Sequence, residues 1–191
     1  MNRTHPTDVL MAEHRVIERV LTALEGKIEQ LGDGPFPSRF FEQALDFFAN
    51  FADRCHHGKE EERLFPLLKQ RGVPEHGGPI GVMLYEHQAG RDHLAAIRSN
   101  LDAAERGDAA AVAAIRAEAS GYIRLLRQHI QKEDNILFAM ARQVLTPDDV
   151  ERLQREFACV EQHHIGTGVH ERYEALANEL SGAPLCCSGA R

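Results

Sequence analysis

The chain has 191 residues, 43% of them hydrophobic and 27% charged, with no tryptophan; that is enough for one sizeable hydrophobic core and excludes a disordered chain. The formal net charge is -7 and lysine and arginine are spread along the chain, which argues against a nucleic-acid partner, since phosphates require a clustered basic surface. The N-terminus, Met1-Asn2-Arg3-Thr4-His5-Pro6, runs straight into a polar amphipathic stretch, without a secretory leader or the roughly 18 apolar residues of a membrane span, so the expectation is a cytoplasmic protein with no membrane partner.

From Val9 to Leu31 apolar residues recur at helical spacing behind Thr7, the predicted N-cap, and Gly32-Asp33-Gly34-Pro35 ends this first helix. A second helix is predicted over Phe36 to Gln70, kinked at Pro66 and closed by Gly72-Val73-Pro74. The third runs from about Pro79 to Glu105 and the fourth from about Asp108 to Val144. Thr146-Pro147-Asp148-Asp149 has the form of a cap, a first-turn proline and acidic residues; it opens a shorter helical region over Asp148 to Leu180, broken at Gly166-Thr167-Gly168. No alternating β-branched stretch competes, so the fold class is all-α: an up-down-up-down four-helix bundle with an additional C-terminal helical segment. The expected organisation is one domain over 1–180, with a core at 7–144, a helical segment at 147–180 and a mobile tail at 181–191 rich in Gly, Ala, Ser and Cys.

Four cysteines, Cys55 and Cys159 within helices and the adjacent pair Cys186-Cys187 in the tail, do not make a disulfide framework. Eleven histidines are the unusual number. His57 and Glu61 lie four residues apart on the second helix, and His129 and Glu133 repeat that spacing on the fourth, so each pair projects from one face. The first helix offers His14 and the third His87, each preceded by a glutamate, Glu13 and Glu86, that cannot share its face. One inward histidine per helix, with two carboxylates at matched depth, suits iron, manganese or zinc. Two such carboxylates can bridge metals roughly 3.5 to 4 Å apart. His56 is rotated about 100° from His57 and is expected to face solvent or to stand behind the ligands, as are Glu60, Glu62 and Asp134.

The segments Ala12-Glu13-His14, His56-His57-Gly58-Lys59-Glu60-Glu61-Glu62-Arg63-Leu64-Phe65-Pro66, Tyr85-Glu86-His87 and His129-Ile130-Gln131-Lys132-Glu133 carry a resemblance to the hemerythrin-like (HHE cation-binding) family. The resemblance covers about residues 7 to 144. It implies a four-helix bundle around two iron ions joined by an oxide or hydroxide bridge. By carry-over, His14 and His57 bind one iron, His87 and His129 the other, and Glu61 and Glu133 bridge them.

The oxygen-carrying hemerythrins have a second histidine one turn after that of the third helix, where this chain has Arg91, which cannot release its proton to bind metal. The set therefore resembles more closely the hemerythrin-like proteins of nitric oxide response, iron-sulfur repair or iron sensing. Arg91 is expected to hold an anion or pair with a carboxylate. His163, His164 and Glu18 are the candidates for a further donor, and Tyr122 stands behind the ligands or packs in the core. His5, His76, His93 and His170 are expected to be exposed.

The functional expectation is a non-haem di-iron protein that binds or senses dioxygen, peroxide or nitric oxide. Turnover of peroxide or nitric oxide, with Tyr122 or a glutamate as proton donor, and iron storage, delivery or iron-sulfur repair are the alternatives. A structural zinc site is disfavoured, because six donors exceed the closed four-coordinate arrangement. Catalysis is left open, and a sensing role requires a separate protein partner.

Overall fold

The computed structural model describes residues 4–32, 34–161 and 168–182. Among them are six helices and no strand. Helix α1 is Pro6–Glu29, α2 covers 38–70, α3 is Pro79–Glu105 and α4 covers 109–144. Two shorter helices complete the chain, α5 at Pro147–Cys159 and α6 at Val169–Ser181. No helix among the described residues is long and apolar enough to cross a membrane.

The helix ends follow local chemistry. Pro6 occupies the first turn of α1, where its missing N–H is no loss. The cap is His5 rather than Thr7: the Thr7 backbone N–H donates to His5 Nδ1 at 3.3 Å, and Thr7 itself is buried. Asp108 caps α4 by accepting from the N–H groups of Ala110 and Ala111 at 2.8 and 3.1 Å. Thr146 and Asp149 cap α5 reciprocally, forming a capping box. Gly72 and Gly107 take φ of +89° and +87° after α2 and α3, a backbone that favours glycine.

Helices α2 and α4 are not regular throughout. In each, the turn preceding a phenylalanine is wide: Phe65 N–H donates to Glu60 O, and Phe138 N–H to Glu133 O, five residues back. A longer wide stretch, Phe48–His57, ends with Gly58 N–H donating to Asp53 O. Pro66, which has no N–H to return, directly follows the wide turn at Phe65, so the helix absorbs the proline by widening.

The apolar core is split into two clusters. One contains Ile17, Phe48, Ala52, Ile97, Leu126 and Ile130; the other contains Leu10, Leu64, Met83, Leu137, Phe138 and Phe157. Helices α1 and α3 run from the second cluster to the first, and α2 and α4 run back, which is the up-down-up-down order. Each fully buried leucine, isoleucine or phenylalanine contributes about 1.5–3 kcal/mol. Between the clusters, at the same depth on all four helices, the buried residues are histidine and glutamate. Helix α5 packs on α1 and the end of α2, and α6 packs on α1 and α2.

Candidate metal centre

Seven side chains fill the polar layer: His14 from α1, His56, His57 and Glu60 from α2, His87 from α3, and His129 and Glu133 from α4, none more than 5% exposed. They form two groups whose donor atoms lie within 4.8 Å of one another, His57, Glu60, His87 and His129, and His14, His56, Glu60 and Glu133. Glu60 belongs to both. Glu133 is also shared in space, since its Oε2 is 3.2 Å from Nε2 of His14 and 3.2 Å from Nε2 of His129.

Every histidine is held from behind by a carboxylate. Nδ1 of His14 donates to Asp134 at 2.7 Å, His56 to Glu13 at 2.9 Å, His57 to Asp53 at 3.3 Å, His87 to Glu61 at 2.7 Å and His129 to Glu86 at 3.0 Å. An ionised carboxylate can only accept, so Nδ1 carries the proton and Nε2 is turned inward as the donor atom. Each carboxylate is itself held by a cation: Asp134 by Arg15, Glu13 by Lys59, Glu86 by Lys132, and both Asp53 and Glu61 by Arg91. Four of these contacts run round the bundle as a closed ring. Helix α1 braces the histidine of α2, α2 that of α3, α3 that of α4 and α4 that of α1.

The inward atoms lack partners that would satisfy them. Nε2 of His14, His56 and His57 and all four carboxylate oxygens of Glu60 and Glu133 are buried without a hydrogen bond, and each such atom costs about 1–3 kcal/mol. Nε2 of His87 lies 3.2 Å from Nε2 of His129, a pairing that needs a shared proton or a shared cation. Burial, outweighing the carboxylates behind them, pushes the pKa of His56, His57 and His87 down to about 4, so these rings are neutral at pH 7, as metal ligands must be. His129 also loses solvation, but the charge of Glu133 3.2 Å away, with Glu86 behind, pushes it up to about 9. Burial, then the nearby Glu133 carboxylate, raises Glu60 well above the usual carboxylate range, whereas His129 and His14 outweigh burial and hold Glu133 well below it. The layer by itself thus offsets its buried charge with protons on Glu60, His14 and His129; divalent cations would do so without protons. Imidazole nitrogens and carboxylate oxygens, five and two side chains respectively, are the donor set that suits first-row metals such as iron, manganese and zinc.

The structure brings together five of the six residues expected to ligate: His14, His57, His87, His129 and Glu133. The sixth, Glu61, stands outside the layer, its side chain 27% exposed, behind His87 and against Arg91. Its expected place is taken by Glu60, and His56, expected outside, points in beside His57. The wide stretch that ends at His57 brings two consecutive histidines to one face, and the inward carboxylate then falls four residues after His56. A signal for this was present in the sequence. A constant shift of 73 residues carries Glu13, His14, His56, Lys59, Glu60 and Glu61 onto Glu86, His87, His129, Lys132, Glu133 and Asp134. Under that shift Glu60 matches the inward Glu133 and Glu61 matches Asp134, which braces. His57 falls opposite Ile130 and has no counterpart.

The remaining expectations resolve by contact. Arg91 pairs with carboxylates, those of Asp53 and Glu61. Glu18 meets Arg15 at the surface, and Tyr122 packs edge-on against Phe48 in the core. His76 is exposed, but His93 pairs with Glu118 and His170 is half-buried against Glu13. His163, His164, Cys186 and Cys187 lie outside the described residues.

Residues 5–141 match the hemerythrin HHE cation binding domain. The chain is 27% identical over 164 residues to uncharacterized proteins of Mycobacterium tuberculosis and Mycobacterium bovis, an overlap of 85% of this chain and 63% of theirs. It is 33% identical over 124 residues to the iron-sulfur cluster repair protein YtfE of Edwardsiella ictaluri, covering 63% of this chain and 56% of that protein. The chain therefore spans less than two thirds of the length of these relatives. No solved structure matches it. With a family match over most of its length and a buried layer of histidines and glutamates at the matched helices, the chain belongs to the hemerythrin HHE cation-binding family and is a metal-binding protein.

Proposed function

We propose that the chain holds two iron ions in the polar layer and binds dioxygen, peroxide or nitric oxide at one of them. The observation that carries this reading is the convergence of five inward imidazoles, each braced through Nδ1, on two buried carboxylates without hydrogen-bond partners. His57, His87 and His129 would hold one ion, His14 and His56 the other, with Glu60 and Glu133 shared between them. A pair of ferrous ions would supply electrons and open coordination positions. The chain's own residues fix the donors and exclude water; Phe65 stacks on His87 at 5.9 Å and Phe138 on His14 at 5.6 Å, walling the layer on two sides. The group of His14 and His56 offers one imidazole fewer than that of His57, His87 and His129, which would leave room there for a small ligand.

The likeness to an iron-sulfur cluster repair protein favours a second reading, in which the iron is delivered to a damaged cluster on a partner. Metal analysis of the purified protein, with ultraviolet-visible spectra before and after dithionite, oxygen and nitric oxide, tests the first. Two irons per chain and near-ultraviolet bands that respond to these reagents support it. Absence of iron after anaerobic loading with ferrous salt removes it. Rapid transfer of that iron to an apo iron-sulfur protein, with spectra indifferent to oxygen and nitric oxide, selects the second.

A further inference from the structure

The two halves of the centre, related by the 73-residue shift, differ in what lies behind them. On α3 and α4, Glu86 braces His129 and is held by Lys132, whose side chain is 35% exposed. The equivalent pair on α1 and α2, Glu13 and Lys59, braces His56 but is sealed, with Lys59 fully buried and the Glu13 side chain 3% exposed. The seal comes from the C-terminal region, beyond the residues that match the family. Glu161 accepts from Lys59 Nζ at 2.6 Å, the Phe157 ring lies 5.8 Å from the same ammonium, and His170 Nε2 at the start of α6 is 3.4 Å from Glu13 Oε1. His170 is seated in turn against Phe51, with ring centroids 5.1 Å apart.

Glu13 divides its oxygens. Oε2 accepts from His56 Nδ1, while Oε1 meets Lys59 and His170. The carboxylate can keep its angle toward His56 only while its other oxygen is held, and Lys59 is itself shared with Glu161. We propose that His170 is a positioning residue that, through Glu13, fixes the His56 ring, so that α6 governs how firmly the metal beside His14 and His56 is retained. The other metal, beside His57, His87 and His129, is braced by Asp53, Glu61 and Glu86, whose bonds among the described residues run to α2, α3 and α4, and it is indifferent to α6. The inference rests on the two-metal reading of the polar layer.

The test uses the full chain loaded anaerobically with ferrous iron and challenged with the chelator ferrozine, the release of each iron being followed by absorbance. In His170→Ala one of the two irons leaves about tenfold faster than in the wild type, the low end of the effect of losing a group behind a ligand, and the other keeps its rate. His170→Gln, which retains an N–H to donate to Glu13, restores the slow release. Glu161→Gln accelerates the same iron as His170→Ala. Tyr173→Phe, which removes the hydrogen bond from α6 to Asp46, changes neither rate, separating the role of His170 from general loosening of the helix. Unchanged release in His170→Ala, equal acceleration of both irons, or the same effect from Tyr173→Phe overturns the inference alone. A wild type holding fewer than two irons overturns the two-metal reading and the inference with it.

Discussion

Glu60→Gln and Glu61→Gln make the same chemical change at adjacent residues and should have opposite consequences. Glu60 is fully buried, with Oε1 3.7 Å from Nε2 of His56 and Oε2 3.5 Å from Nε2 of His87. As a shared ligand its loss weakens both metal positions by more than the 10–100-fold typical of a group one step behind, and metal content falls from two per chain to one or none. Without metal the sign reverses. Glu60, buried beside Glu133, must then take up a proton to fold, and a neutral amide that donates to Glu133 avoids that cost, about 1–3 kcal/mol, raising the unfolding midpoint of metal-free protein by roughly 2–12 °C. Glu61→Gln instead removes the acceptor behind His87 and one partner of Arg91. Metal content stays at two, affinity falls about 10–100-fold, or about 1.4–2.7 kcal/mol, and the metal-free midpoint drops by roughly 2–4 °C. Metal analysis after anaerobic loading and desalting, with calorimetry of both metal-free variants, reads all four outcomes. Two metals retained by Glu60→Gln together with loss of metal in Glu61→Gln would refute the assignment.

Asp53 is held at about 2 because hydrogen bonds from His57 and Arg91 outweigh its burial. A depressed carboxylate gives stability that is present above its unfolded value near 4 and lost as pH falls through 2, so the difference between metal-free wild type and Asp53→Asn in urea unfolding should shrink over that window; a difference independent of pH would contradict this. Burial, with the Glu13 charge next, pushes the Cys55 thiol up to about 12, and the side chain is 1% exposed. Iodoacetamide at pH 8 should therefore leave Cys55 unmodified by mass spectrometry until the protein is denatured, because the thiolate is the nucleophile; rapid labelling of the native protein would show the α2 core to be open. Thr146→Ala breaks the capping box of α5 and should cost about 1 kcal/mol, a midpoint loss of roughly 2–4 °C with metal content unchanged. Loss of metal in that variant would mean that α5 supports the centre more directly than its contacts indicate.

The bundle was legible because its signals are local. Apolar spacing marks each helix, Gly32 and Gly72 mark two of the turns, and Thr146 caps α5. The depth of the site was also legible, since His14, His87 and His129 have few other ways to share a level in four amphipathic helices. What regular spacing could not supply was rotation within α2. The run His56-His57-Gly58-Lys59-Glu60-Glu61 offers two pairs at the same four-residue spacing, and a uniform helix would turn only one of them inward. The wide turns change the angle per residue, so both histidines enter with the first glutamate. His5 displaced Thr7 as the cap of α1 for a related reason: Pro6 takes the first helical position, which leaves the residue before it to cap. The burial of His170 depends on the docking of α6, a tertiary fact with no periodic signature.

The ring of braces explains why the polar layer does not make the bundle ambiguous. A buried histidine or glutamate is unfavourable alone, and two apolar clusters could slide past a single polar residue. Here, however, each of the four long helices contributes both an inward histidine and the carboxylate that holds the histidine of the next helix. A one-turn slip of any helix, about 5.4 Å, breaks two of these contacts, one given and one received, and leaves a buried imidazole without its acceptor. Each buried imidazole left without its acceptor costs about 1–3 kcal/mol, a large share of the 5–15 kcal/mol that holds a typical domain together. The braces therefore specify the register of the bundle as well as the direction of the donor atoms.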